Sequence, residues 1–532
     1  MNSRERVHQV LNFESPDRVP VDVNVHKLAH DRLRAHLGLP ASHPAPSGAM
    51  EVVPEPDLLQ KLGIDLISVR MGGAKTQTGP LPEHRRDAWG VERKLTPSGT
   101  GGPYYEAASH PLAGAELGDL DDYPWPEQRP IQAAEALADH AETLFHNTDL
   151  ALVGRFGGPV LELAADLLGT EEWYVRLMQD RPFVQALLER ITRICTEWDL
   201  LGIESAGNYL SIMKVSGEDF GMQQGPLYPP EAFADILLPP LADRWRRVRE
   251  ALAKKNPAAR LMLHSCGAMD AFVPDLIKAG IEVLDPVQPC TDGMSPERLR
   301  ADFGGQLVFH GGVDVQRLLP NGSPEEVATG VKSLLAGFDA GRGGFIAAPT
   351  HAVQGDVPAE NVLALTHAVR EWSSERAQPR SRDELAKYLT RLGVRRASAD
   401  MGLYFGEIFA EGIPDPSRYA EHRWVVMPHS NTQTPVIHAV PPMDEATELP
   451  WEEWYRLDGK LHHTVLFLRP RPETTGQFSA DRADLDHPRA VLGKQWHLAQ
   501  ATSLKPYLGY DEAGALPREP SKPTKFPVVP KC

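Results

Sequence analysis

At 532 residues the chain is longer than one hydrophobic core ordinarily supports, so its length points to one large domain and a second unit. Hydrophobic residues make up 42% and charged residues 24%, ordinary globular values that exclude a disordered or fibrous polypeptide. With 55 Lys and Arg against 72 Asp and Glu, the net charge of −17 would repel a phosphate backbone, which excludes nucleic acid as the main partner.

The opening "MNSRERVHQVLNF" has no apolar core of signal-peptide length, and no stretch approaches the roughly 18 apolar residues of a membrane span. The four cysteines, Cys195, Cys266, Cys290 and Cys532, are far apart and form no CxxC pair. A reducing, cytoplasmic setting without membrane contact is expected.

In chain order, "SRERVHQVLNF" has Val7, Val10 and Leu11 at helical spacing, and "SPDRVP" stops that helix. Eight short runs of strand character follow, each ending in small or polar residues. They are "RVPVDVNV" from Arg18, "DLISVRM" from Asp65, "LALVGRF" from Leu150 and "NYLSIMKVS" from Asn208, then "RLMLHSCG" from Arg260, "IEVLDPVQ" from Ile281, "QLVFHGGVD" from Gln306 and "GGFIAAPTH" from Gly343. Amphipathic helical segments such as "DAFVPDLIKAG" and "SPEEVATGVKSLLAGFDAG" separate the later ones, starting at Ser or Pro and stopping at Gly. Eight strands alternating with helices predict an α/β fold, a (β/α)8 TIM barrel, over residues 1–373.

Near Glu371 the texture turns polar and proline-containing, "EWSSERAQPRSRDE", and the rhythm stops. Residues 374–532 are expected to be a separate C-terminal extension of α+β type and unknown role, because Trp424, Trp451, Trp454 and Trp496 make it too aromatic for a disordered tail. The last stretch, "LPREPSKPTKFPVVPKC", reads as an extended arm.

In a parallel barrel the functional groups gather where strands end, so the strand termini carry the candidates. His264 and Cys266 stand at i and i+2 after the fifth run, on one side of the strand and about 7 Å apart at the backbone. An imidazole and a thiolate so placed can converge on zinc, with His351 or Cys290 as a third ligand. A buried thiol beside a hydrogen-bonded histidine is the bland alternative. Glu218 and Asp219, on a glycine-bounded loop, are candidate acids, metal ligands or cation anchors, or plain solvated loop acids. His310 and Asp314 in "VFHGGVD" are candidates for catalysis or for a rim hydrogen-bond network. Arg155 suits a substrate carboxylate or a structural salt bridge, and Gln288 and His351 complete the expected substrate contacts. Cys195 falls at helical spacing with Ile191 and Trp198 and reads as core. The tail histidines His422, His429, His438, His462, His463 and His497 have no compact ligand spacing.

With these residues in view, positions 1 to 373 resemble the uroporphyrinogen decarboxylase superfamily. The segments that carry the resemblance are "SRERVHQVLNFESPDRVPVD", "DAWGVERK", "HPLAGAELGDLDDYPWPE", "SGEDFGMQQGPLYPPEAF", "LMLHSCGAMDAFVPDLIKAGIEVLDPVQ", "LVFHGGVDVQRLLPNGSPEEV" and "GGFIAAPTHAVQGDVPAENVLAL". The resemblance implies a barrel enzyme with its site in the mouth. It also implies one of two chemistries: decarboxylation of porphyrinogen acetate groups, or zinc-dependent methyl transfer with a corrinoid. Decarboxylases carry an N-terminal RQAGR-like segment, where this chain has "VDVNVHKLAHDRL". The methyltransferases carry His-x-Cys, which "LHSCG" matches at His264 and Cys266, and a later Cys that falls where this chain has His351.

The expected function is therefore zinc-dependent methyl transfer between a small thiol or methoxy substrate and a corrinoid. A carboxy-lyase acting on a tetrapyrrole or other carboxylate is the alternative, and a noncatalytic tetrapyrrole or corrinoid binder a third. No DxHxxG signature occurs, so the corrinoid is expected as substrate or on a partner protein, and a homo-oligomer is compatible.

Overall fold

Seven of the eight expected strands form one all-parallel sheet in sequential order. They are β1 (Leu66–Arg70), β2 (Ala151–Arg155), β3 (Leu210–Val215), β4 (Arg260–His264), β5 (Val283–Val287), β6 (Val308–Val313) and β7 (Phe345–Pro349). The structure, a computed structural model, describes residues 1–376 apart from 48, 49, 98, 100, 129 and 216, followed by the backbone of five strands between 423 and 504. Contacts divide the chain into two compact units, Met1–Ser373 and Ser374–Cys532.

The eighth stave is the first in sequence. Its backbone joins both sheet edges: Asp65 N donates to Val21 O at 2.9 Å on the β1 side, and Ala347 N to Pro20 O at 3.0 Å and Asp22 N to Ala347 O at 2.9 Å on the β7 side. Pro20 has no N–H to give, which keeps this stave from a continuous ladder. The result is a closed (β/α)8 barrel.

The barrel interior follows from strand alternation. Leu66, Ala151, Val153, Ile212, Met262, Val283, Val308 and Ile346 form one buried apolar cluster, and helix α1 (Ser3–Leu11) plugs it with Val7, Val10 and Leu11. A larger cluster packs the outer sheet face against the helices. Among these, α2 (Leu161–Leu168) follows β2, α3 (Arg181–Ala206) follows in turn, and α4 (Leu238–Lys255) precedes β4. Pro239 and Pro240 lack the donors a regular helix needs, and the turn before α4, Phe233–Leu237, is a π-helix.

One element escaped the sequence reading: an antiparallel sheet of His84–Arg86, Glu92–Thr96 and Tyr104–Ala107. Its middle strand is rich in charge and has no buried residue, so it lacks the apolar alternation that marks a strand. The second unit contains a five-stranded antiparallel meander, Arg423–Pro428, Pro435–Val440, Leu449–Leu457, Lys460–Pro470 and Trp496–Leu504, paired in chain order. Cys532, His422, His429 and the proline-rich end lie outside the described residues. Among the described residues no helix is long and apolar enough to cross a membrane.

Candidate active site

Inward-facing positions change chemistry from the barrel floor to its mouth. Two residues beyond the apolar row, on the same strand face, stand Arg155, Lys214, His264, Asp285 and His310. The floor is apolar because α1 seals it; the row above is polar because it opens on the βα loops.

Asp285 is the centre of this row. Its buried carboxylate accepts from Lys214 Nζ at 2.5 Å, from His310 Nδ1 at 2.6 Å and from His264 Nδ1 at 2.7 Å. Burial opposes the charge, yet Lys214, His310 and His264 hold the carboxyl well below the usual range. His310 reaches on through Nε2 to Asp22 Oδ2 at 3.1 Å. Burial would push that imidazole down, but Asp285 and Asp22 outweigh it and raise it to about 9.

His310 therefore folds protonated, with a raised pKa, and its stabilisation is complete below about pH 6.5. That stabilisation, on the order of 3 kcal/mol, is lost as pH rises through about 9. The stability gap between the wild type and His310→Gln is thus expected to shrink from pH 6 to pH 10, as denaturant titrations across that range would show.

The bond to Asp285 puts the His264 proton on Nδ1, which leaves the Nε2 lone pair directed to the mouth. Cys266 Sγ lies 3.6 Å from that nitrogen. With an Asp219 carboxylate oxygen these form a trio whose ligand atoms all lie within 4.8 Å of one another. The backbone locks it: Cys266 N donates to Asp219 Oδ1 at 2.9 Å, Glu218 N to His264 O at 2.9 Å, and Ser265 N to Asp285 O at 2.7 Å. Gly267 sits at φ +87°, and a Cβ there would come within 2.3 Å of the Gly221 backbone, so only glycine lets the two loops close. Burial, then Asp219 and Asp285, push the Cys266 thiol up.

Glu162, in the first turn of α2, also faces the trio. A methyl group at Gly217 would sit 2.9 Å from its Oε1 and 3.2 Å from His264 Cδ2, so that glycine keeps the two side chains adjacent. Desolvation in the narrow mouth, then Asp219 and Glu218, push the Glu162 carboxyl up to about 8. At the ends of β1 and β2 Glu51 bridges Arg70 and Arg155. Burial opposes the Glu51 charge, but the two guanidinium groups hold its carboxyl far below the usual range.

The other expected site residues fare differently. Glu218 is no mouth acid: it is fully buried, its carboxylate accepting from Val160 N and Leu161 N, each at 2.8 Å, at the start of α2. Burial pushes it up to about 8 despite Arg244. Gln288 is buried and accepts from Gly267 N at 3.0 Å, so it props the cysteine loop. Asp314 accepts from Gln316 N at 2.7 Å and caps its own turn. His351 lies beside the trio, its ring 6.1 Å from that of His264, and burial above all pushes it down. Cys290 is exposed and stands outside the trio. Neither expected third ligand is in the tight cluster, because the loops bring Asp219 there first. Arg155 makes the salt bridge to Glu51, with Nη1 at 3.0 Å from both oxygens. Cys195 is buried core, as expected.

Asp285, Lys214, Asp22, Glu51, Arg70 and Glu162 were missed by the sequence reading. For Lys214 and Asp285 the signal was present: each stands two residues after an inward apolar residue, in "IMK" and "VLD", just as His264 does in "MLH".

Among solved structures, a methyltransferase from Methanosarcina mazei overlaps at 19% identity and TM-score 0.49, covering 70% of this chain and 99% of that chain. The endo-1,4-beta-xylanase XylE of Penicillium canescens overlaps at 11% identity and TM-score 0.26, over 40% of this chain and 67% of that one. The GH53 catalytic domain of Ignisphaera aggregans overlaps at 13% and 0.27, over 65% and 99%. At these overlaps none carries chemistry across. No curated protein matches the chain. Residues 88–372 match the family described as uroporphyrinogen decarboxylase (URO-D), a span of more than half the chain that includes β2 to β7 and the whole trio. The chain belongs to the uroporphyrinogen decarboxylase family.

Proposed function

We propose that the protein is a zinc-dependent methyltransferase that moves a methyl group between a small thiol or methoxy substrate and a corrinoid, the latter arriving as substrate or on a partner protein. The observation that carries this reading is the trio of Asp219, His264 and Cys266. A nitrogen, a sulfur and an oxygen donor fit zinc, and three protein ligands leave one position for substrate. Asp219 has no ion pair among the described residues, so its carboxylate beside His264 lacks a protein counter-charge. When bound, zinc would polarise an ether oxygen or hold a thiol in its nucleophilic form.

The chain's own residues do the rest. Asp285 fixes the His264 tautomer and ring orientation, Gln288 and Gly267 hold the Cys266 loop, and Asp219 ties the two loops together. Glu162 lies on the substrate side, where a proton leaving or reaching the substrate heteroatom needs a partner.

Elemental analysis of protein purified without a histidine tag tests this. About one zinc per chain is expected, lost in His264→Ala and Cys266→Ser and weakened in Asp219→Asn. A protein that takes up no zinc after supplementation overturns the reading. The carboxy-lyase reading would then lead.

A further inference from the structure

The mouth cations fall into two sets. Lys214 and His310 are engaged by Asp285 and Asp22. Arg70 and Arg155 are register partners at the ends of β1 and β2, and they share Glu51. Glu51 belongs to the two-residue strand Glu51–Val52, which pairs with Val25–His26, so the same chain segment that closes the barrel delivers it. Arg155 Nη1 donates to both Glu51 oxygens at 3.0 Å, and Arg70 Nη2 lies 2.9 Å from Oε2. This is how a guanidinium pair receives a carboxylate ligand, except that the carboxylate is internal.

The triad retains one net positive charge. Its spare donors are enclosed and not presented to the mouth: Arg70 Nε and Nη2 are shut off from solvent and make no hydrogen bond, and Nη1 faces the Glu51 carbonyl at 3.4 Å. The groups at the mouth without an ion pair, Asp219 and Glu162, are acids. An acidic substrate would therefore meet a guanidinium pair already held by Glu51, and beyond it the carboxylate of Asp219.

We propose that Glu51 is a specificity-determining residue: the chain's own carboxylate fills the Arg70–Arg155 fork, so the mouth turns away substrates bearing carboxylate groups and admits uncharged or cationic methyl donors. The substrate half of this rests on the methyl-transfer reading; the filled fork does not.

Two measurements on the full chain test it. Calorimetric titration of the wild type with succinate and with tricarballylate, at constant ionic strength, is expected to show no binding up to about 10 mM. Carboxylate binding that disappears in Arg70→Met overturns the proposal. In Glu51→Ala the emptied fork is expected to take acetate. Acetate should then raise the unfolding midpoint by several degrees over chloride at matched ionic strength, with no such difference in the wild type. A folded Glu51→Ala that treats acetate and chloride alike also overturns it. If Glu51→Ala does not fold, the wild-type titration decides alone. Zinc content of the same preparations reports on the trio and not on the fork, so failure of the metal reading and failure of this one are separable.

Discussion

Replacing Asp285 with Asn is expected to lower zinc affinity 10- to 100-fold while leaving His264, Cys266 and Asp219 in the sequence. The carboxylate accepts from three groups at once, and an amide accepts through one oxygen only. His264 would lose the acceptor that holds its proton on Nδ1, and with it the fixed orientation of Nε2. Lys214 and His310 would be left buried with their shared counter-charge removed, which costs about 3–5 kcal/mol for a broken buried pair. Competition against a metal chelator reads the first effect and denaturant unfolding the second. If Asp285→Asn binds zinc as the wild type does, Asp285 does not orient a ligand.

The second large effect is expected at Arg244, away from the mouth. Its side chain is wholly buried, donating from Nε to Asp199 Oδ2 at 2.9 Å and from Nη2 to the Gly158 carbonyl at 2.9 Å, with Glu218 Oε1 3.8 Å from Nη1. Asp199 and Glu218 are equally buried, and burial pushes both carboxyls up even with Arg244 present. Arg244→Met strands two acids in an apolar interior and should cost about 3–5 kcal/mol at pH 8. Both groups then have folded pKa values above their unfolded ones. Protonation favours the folded state at low pH, and this relief is lost as pH rises through the raised values. The variant should therefore lie closest to the wild type near pH 5 and furthest at pH 8, measured as unfolding midpoints by tryptophan fluorescence. A pH-independent deficit would mean that the guanidinium serves packing alone. The same change should loosen the site, because Glu218 binds the first turn of α2, which bears Glu162, and neighbours Asp219.

These two residues show where sequence reading stops. Arg244 falls at helical spacing with Leu241, Trp245, Val248 and Leu252, but it stands among Arg246, Arg247 and Arg249, and residue type alone does not separate it from Arg246 or Arg247, which are exposed or half-exposed in the fold. Asp285 was legible in principle through its two-residue offset from Val283. A carboxylate inside "EVLDPV" nevertheless looks like a strand end until His264, Lys214 and His310 are seen to converge on it from three other strands.

The alternation of apolar strands and capped helices is local, repeats along the chain, and by itself determined the barrel and its eight staves. The His264–Cys266 pair was equally local, since i and i+2 share a strand face. The partners were decided only by the tertiary structure. Asp219 rather than Cys290 or His351 joins the pair, Glu218 goes to a helix start, and Glu51 fills the arginine fork. Each of these depends on where a loop of one strand meets the loop of another. That distance is fixed by sheet closure and loop packing, and no spacing along the chain encodes it.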